Sequence, residues 1–346
     1  MTMERLRALG YVSGEGEASV EVHLNNAARL IDAGDWKRAE EELRKALRMS
    51  PGNAQVHFDL ARVKMAQGDA RGARAHADRA IQMEPESFAS FVIRAGAEAL
   101  LGDLVAARRD YEKAHEMGPS RPFPLVALGD VLNRLGEHEQ ATAALERALE
   151  LDPANTTALY NMGVVEASRG NTAKAEELYR RVLELDPMHE HANNNLGNIC
   201  CNRGEYVKAV PLFEKALERA PRSFDLCYNL GTCYLNLGCS GKAVELLRRA
   251  LDLDPESHAA LGNLAAALMA DGNLEKALQT YESVTKLYPD DYAAWMQAAR
   301  LYIAAGQQSQ ARRCIERARE CDRVQFEVDL GRYPRVAELA RAMGGE

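Results

Sequence analysis

The chain has 346 residues and a formal net charge of −8, and 47% of its residues are apolar and 6% aromatic. This balance argues against a nucleic-acid partner or an anionic membrane surface, because both are bound through clustered cations. No stretch is long and apolar enough to span a bilayer, so no membrane insertion is expected.

Residues 1–19 read as a leader or linker. The first ten carry basic residues with no apolar run behind them, which does not fit a secretory signal. From Val20 onward the chain is punctuated. Pro51, Pro85, Pro119, Pro153, Pro187, Pro221, Pro255 and Pro289 are each separated by 34 residues. Gly34, Gly68, Gly102, Gly136, Gly170, Gly204, Gly238, Gly272 and Gly306 keep the same interval. With Val20 as position 1, nine repeats run without insertion to residue 325. The glycine at position 15 suits a left-handed helix end, and an Asp, Glu, Asn or Gln follows it in every repeat but the one with Cys239. The proline at position 32 cannot continue a helix and holds the residue before it extended. Each repeat is therefore expected to be helix A, a tight turn, helix B and a proline joint. The Pro119, Pro122 and Pro124 cluster marks either a change of pitch or the start of the fourth helix A.

Small residues recur where helices must touch. Position 8 is Ala or Gly in all nine repeats, from Ala27 through Gly129, Gly163, Gly197 and Gly231 to Ala299. Position 20 is always Ala, and position 24 carries large residues such as Leu145, Tyr179, Phe213, Leu247 and Tyr281. Small facing large lets antiparallel helices approach and interdigitate.

These marks resemble the pattern of the tetratricopeptide repeat (TPR) family over residues 20–325, with the best fit over residues 159–289. The resemblance implies an all-α fold: a right-handed superhelical solenoid of nine helix-turn-helix TPR repeats, with a concave face lined mainly by the A helices. Residues 326–346 are expected to form a C-terminal capping segment, in which Pro334–Met343 is an amphipathic helix with Val336, Leu339, Ala340 and Met343 on one side. The run at residues 3–12 is similar to the tail that closes some bacterial sulfatase-type domains ahead of TPR arrays. A short helix or an unstructured leader is the competing reading. Cys200, Cys201, Cys227, Cys233, Cys239, Cys314 and Cys321 are odd in number and lack a framework spacing, which points to free thiols and the cytoplasm. A bacterial envelope location is what the sulfatase-type resemblance would imply instead.

No phosphate-binding glycine loop, nucleophile elbow or zinc-protease helix occurs, so no catalytic residue, cofactor or metal is assigned. His189 and His191 lie near Cys200 and Cys201 in sequence, but the spacing does not match metal sites, and buried thiols usually serve as small apolar groups. One polar feature stands out. Position 6 carries Asn161, Asn195, Asn229 and Asn263 in four successive repeats. Positions 2, 6, 9 and 13 share one helical arc, away from the apolar stripe at 4, 7, 8 and 11. That arc adds His191, Asn198, Asn202, Thr232 and Asn236, with Tyr228 beside it. An amide offers a donor and an acceptor and so suits any peptide backbone. The run resembles the asparagine ladder of the O-GlcNAc transferase TPR region, which implies a groove for an extended peptide but no transferase activity here. Because these amides lie off the apolar stripe, their loss is expected to leave stability unchanged. A solvated polar surface is the competing reading.

The function expected is a non-enzymatic scaffold that binds an extended protein segment in the concave groove. Two alternatives are a self-assembling homo-oligomer and the substrate-recruiting arm of a larger enzyme, such as a glycosyltransferase or sulfatase-type protein.

Overall fold

The computed structural model describes residues 19–343. The run at residues 3–12 and most of the leader lie outside them. Among the described residues there are twenty α-helices and no strands. Nine helix pairs follow one another in a common register: every helix A begins at position 1 and every helix B at position 17.

Local chemistry sets each boundary. All nine position-15 glycines have positive φ, from 72° to 83°, so each turn uses the conformation that other residues avoid. The next residue caps helix B at Asp35, Asp69, Asp103 and Asn273: Asp35 Oδ1 accepts from the Arg38 N–H, and Asn273 Oδ1 from the Lys276 N–H. Glu137, Glu205, Cys239 and Gln307 make no such bond. The proline cluster resolves into a helix start, since Pro122 opens the helix Pro122–Arg134.

The helices fall into two compact units, the first ending at Leu178 and the second beginning at Tyr179. Within each unit helix A packs on its own helix B, helix B packs on the next helix A, and some successive A helices touch, as Ala54–Ala66 and Phe88–Leu101 do. Position 20 is fully buried in all nine repeats. The small residue at position 8 faces the large one at position 24. A Cβ on Gly129 would lie 2.5 Å from Leu145, one on Gly197 2.8 Å from Phe213, and one on Gly231 2.9 Å from Leu247. Those glycines are therefore the space that the large side chains fill.

Two helices follow the last pair. Arg323–Leu330 runs across the boundary drawn from the sequence at residue 325, and it buries Phe326 completely. Pro334–Met343 packs against the last helix A, Tyr292–Ala304, and the last helix B, Gln308–Cys321. It buries Val336, Ala337 and Ala340, while Leu339 and Met343 are half-buried.

Candidate functional site

In the second unit we number three A helices in chain order as α1 (Glu190–Asn202), α2 (Phe224–Asn236) and α3 (His258–Ala270). Helix α2 touches both α1 and α3. Its N-terminus is capped by Ser223, and that of α3 by Ser257. The apolar stripe of each helix is buried, as Leu226, Cys227, Leu230 and Cys233 are on α2. The polar stripe consequently lies along the surface where A helices meet.

The structure brings most of the stripe together through bonds between neighbouring repeats. Asn229 Nδ2 on α2 donates to Asn198 Oδ1 on α1 at 3.0 Å. Asn263 Nδ2 on α3 donates to Thr232 Oγ1 on α2 at 2.9 Å. Both link position 6 of one repeat to position 9 of the repeat before it. Asn195 is served differently: its Nδ2 donates at 3.3 Å to the Tyr179 hydroxyl on the preceding helix B. In the first unit, Asn161 Nδ2 points at the Val126 carbonyl at 3.5 Å, the outer limit of a hydrogen bond. All four position-6 asparagines are half-buried. Asn195, Asn229 and Asn263 each bond a side chain on a neighbouring helix, a contact that their place off the apolar stripe did not suggest.

The rest of the stripe is more open. Asn202 and Asn236 are exposed, and Asn236 Nδ2 folds back to the Thr232 carbonyl at 2.8 Å. Thr232 in turn donates to the Tyr228 carbonyl at 2.8 Å, so its hydroxyl both donates and accepts. Tyr228 is half-buried, with its ring stacked on Phe224 at a centroid distance of 5.9 Å. His191 is exposed at the start of α1, with its Nδ1 3.9 Å from Glu190. Its neighbour His189 caps α1: its Nδ1 accepts from the Ala192 N–H at 3.2 Å, and burial holds its pKa below the ordinary value. A capping acceptor must be neutral at that nitrogen, which agrees with the direction of the shift. Among the described residues no three His, Cys, Asp or Glu side chains converge as a metal site would require.

The site's chemistry is that of a hydrogen-bonding surface. Asn198 accepts from Asn229, and among the described residues its own NH2 group donates to no side chain or carbonyl. Asn229 Oδ1 accepts no hydrogen bond among the described residues. A donor and an acceptor one repeat apart match what an extended backbone presents. Thr232 takes a larger part than its place on the arc suggested. It stands at position 9 as Asn198 does, and its single hydroxyl accepts there as the amide does.

Profiles of the tetratricopeptide repeat family match residues 30–91, 126–189, 189–256, 241–295 and 268–329. The chain belongs to the tetratricopeptide repeat family. No curated protein sequence gives a significant match. Among solved structures, a TPR protein from Parabacteroides merdae ATCC 43184 is 19% identical at a TM-score of 0.57, covering 72% of this chain and 98% of that one. The APC/C hetero-tetramer Cut9–Hcn1 is 18% identical at a TM-score of 0.55, covering 86% of this chain and 58% of that one. YrrB, described as a TPR protein with an unusual peptide-binding site, is 24% identical at a TM-score of 0.49, covering 53% of this chain and 95% of that one. Likeness at these identities is a likeness of fold.

Within this TPR chain, position 5 of helix A carries no lysine: Asn194, Tyr228 and Gly262 stand there on α1, α2 and α3. Among the described residues no helix is long and apolar enough to cross a membrane.

Proposed function

We propose that this TPR chain is a non-enzymatic interaction scaffold whose A-helix face in the second unit binds an extended segment of a partner protein. TPR proteins generally serve as protein-interaction scaffolds, and a polar helix face assembled from several repeats is the feature such a role uses. The observation that carries the reading is the Asn198–Asn229 pair. Each amide spends one half on the other and keeps the complementary half, so two side chains from neighbouring repeats offer a donor and an acceptor together. Asn202 and Asn236 extend the polar line at the exposed ends of α1 and α2, and Asn195 and Asn263 extend it across neighbouring repeats. Tyr228 and His191 add an aromatic and a titratable edge. In the first unit, Asn161 occupies the matching position. The same reading takes residues 1–19 as a leader, 20–325 as nine repeats and 326–346 as a cap, in a cytoplasmic protein.

The test uses a random-peptide display library selected on the purified protein, followed by fluorescence anisotropy with the selected peptide. The double variant Asn195→Ala/Asn229→Ala should weaken binding roughly five- to a hundred-fold, as expected from losing two hydrogen bonds of about 0.5–1.5 kcal/mol each. Those residues also join helices, so the exposed Asn202→Ala is measured beside them. A selected peptide whose affinity is untouched by both variants would remove this face from consideration.

A further inference from the structure

Cys201 on α1 and Cys233 on α2 bring their sulfurs to 3.0 Å. All seven cysteines are free thiols. The meeting follows from register. Cys201 lies three residues beyond Asn198, and Cys233 lies four beyond Asn229, so each thiol shares a helix face with one member of the bonded amide pair. The amide bond fixes the approach of the two helices one turn earlier, and the sulfurs meet at the next turn. A disulfide has an S–S length of about 2.0 Å, so closing the bond needs a movement of about 1 Å.

The two sulfurs differ in access. Cys201 is half-buried, whereas Cys233 is fully buried. They differ in acidity in the same sense. The Cys233 S–H beside it holds the Cys201 thiol below the usual thiol range, and that contact together with burial pushes Cys233 up. The accessible thiol is therefore the better nucleophile, and the buried one is placed to resolve it.

We propose that Cys201 and Cys233 are a redox modification site, forming a reversible disulfide between the sixth and seventh repeats by exchange with a low-molecular-weight disulfide such as oxidised glutathione. The Cys201 thiolate attacks one sulfur of the small disulfide. The old S–S bond breaks, the first small thiolate leaves, and it takes up the proton that Cys201 had given to solvent. Cys233 then loses its proton and attacks Cys201 Sγ in the mixed disulfide, expelling the second small thiol, which takes up that proton. Two protein thiols are oxidised and one small disulfide is reduced to two thiols. The product ties α1 to α2 covalently beside the Asn198–Asn229 bond. This inference stands apart from the peptide-binding proposal, since it needs only the two helices and their sulfurs.

The full chain is incubated in glutathione buffers from reducing to oxidising, quenched in acid, alkylated and mapped without reduction by mass spectrometry. The expected result is the Cys201 peptide joined to the Cys233 peptide in oxidised protein, with the link lost on adding dithiothreitol. The link should be absent in Cys201→Ser and in Cys233→Ser, and kept in Cys200→Ala and Cys239→Ser. Circular dichroism establishes that each variant is folded. Cys201→Ser, at the half-buried sulfur, supplies the decisive comparison if the fully buried Cys233 does not tolerate serine. Seven alkylated thiols after oxidation, a link that survives in Cys201→Ser, or disulfides only between separate molecules would each overturn the proposal.

Discussion

Asn229 Nδ2 reaches across 31 residues of sequence to Asn198 Oδ1, and the bond joins two helices that share no turn. It is a neutral hydrogen bond at a half-buried site, so Asn229→Ala should cost about 0.5–1.5 kcal/mol in urea denaturation. Asn198→Ala should cost a similar amount, and the double variant should cost less than the sum, because both singles remove the same bond. Additive losses would mean that the two amides act independently.

The glycine at position 8 makes a sharper prediction. A Cβ on Gly197 would lie 2.8 Å from the ring of fully buried Phe213. Gly197→Ala gains helix propensity, yet it should still lower stability. Ala209→Leu, at a fully buried position 20, should overpack the same pair by about 1–3 kcal/mol. The exposed Lys215→Gln should change almost nothing. Thermal melts of the three, read by circular dichroism, give the order.

Glu98 predicts a pH dependence in the first unit. It is 8% exposed, and its Oε2 has no hydrogen-bond partner among the described residues. Burial, then the negative charge of Asp110, push its carboxyl up to about 7 from an ordinary 4.5; Asp103 and Asp78 add to this and Arg94 opposes it. The folded protein then holds this proton more tightly than the unfolded chain does. The stability Glu98 contributes is present in full below pH 4.5 and is lost as pH rises through about 7. Glu98→Gln should therefore melt higher than wild type at about pH 8 and converge with it near about pH 4. A difference independent of pH would show that ionisation of Glu98 does not matter.

The C-terminal helix can be tested by removal. Deleting Pro334–Met343 and the residues after it would strip Val336, Ala337 and Ala340 from the faces of Tyr292–Ala304 and Gln308–Cys321. Terminal repeats need a covered outer face, so the truncated protein should self-associate in light scattering at concentrations where the full chain does not.

The helix pairs were legible because their boundaries are written in residues with strong backbone preferences. Gly204 and Pro221 mark the turn and joint of one repeat whatever surrounds them, and Gly197 against Phe213 could be read as small against large. The partners of the amides were not legible. That Asn229 meets Asn198 while Asn195 meets Tyr179 depends on the offset between packed helices, which no residue at position 6 encodes. The helix Arg323–Leu330 escaped assignment for the opposite reason: it has neither proline nor glycine at its start, and Arg323 stands where the other repeats carry proline. Cys201 and Cys233 were hidden by register, since they occupy positions 12 and 10 of their repeats and share no column.

The common starting positions of the nine pairs make this architecture adjustable in length. Each joint is built from the same proline and each turn from the same glycine, so a whole pair can be duplicated or excised without inventing a new junction. A chain lengthened by copying residues 224–257 would repeat the contact of position 6 with the preceding position 9, this time between Asn and Thr. The polar line along the A helices would then grow in discrete increments, one rung per added pair, with gene duplication as the ruler.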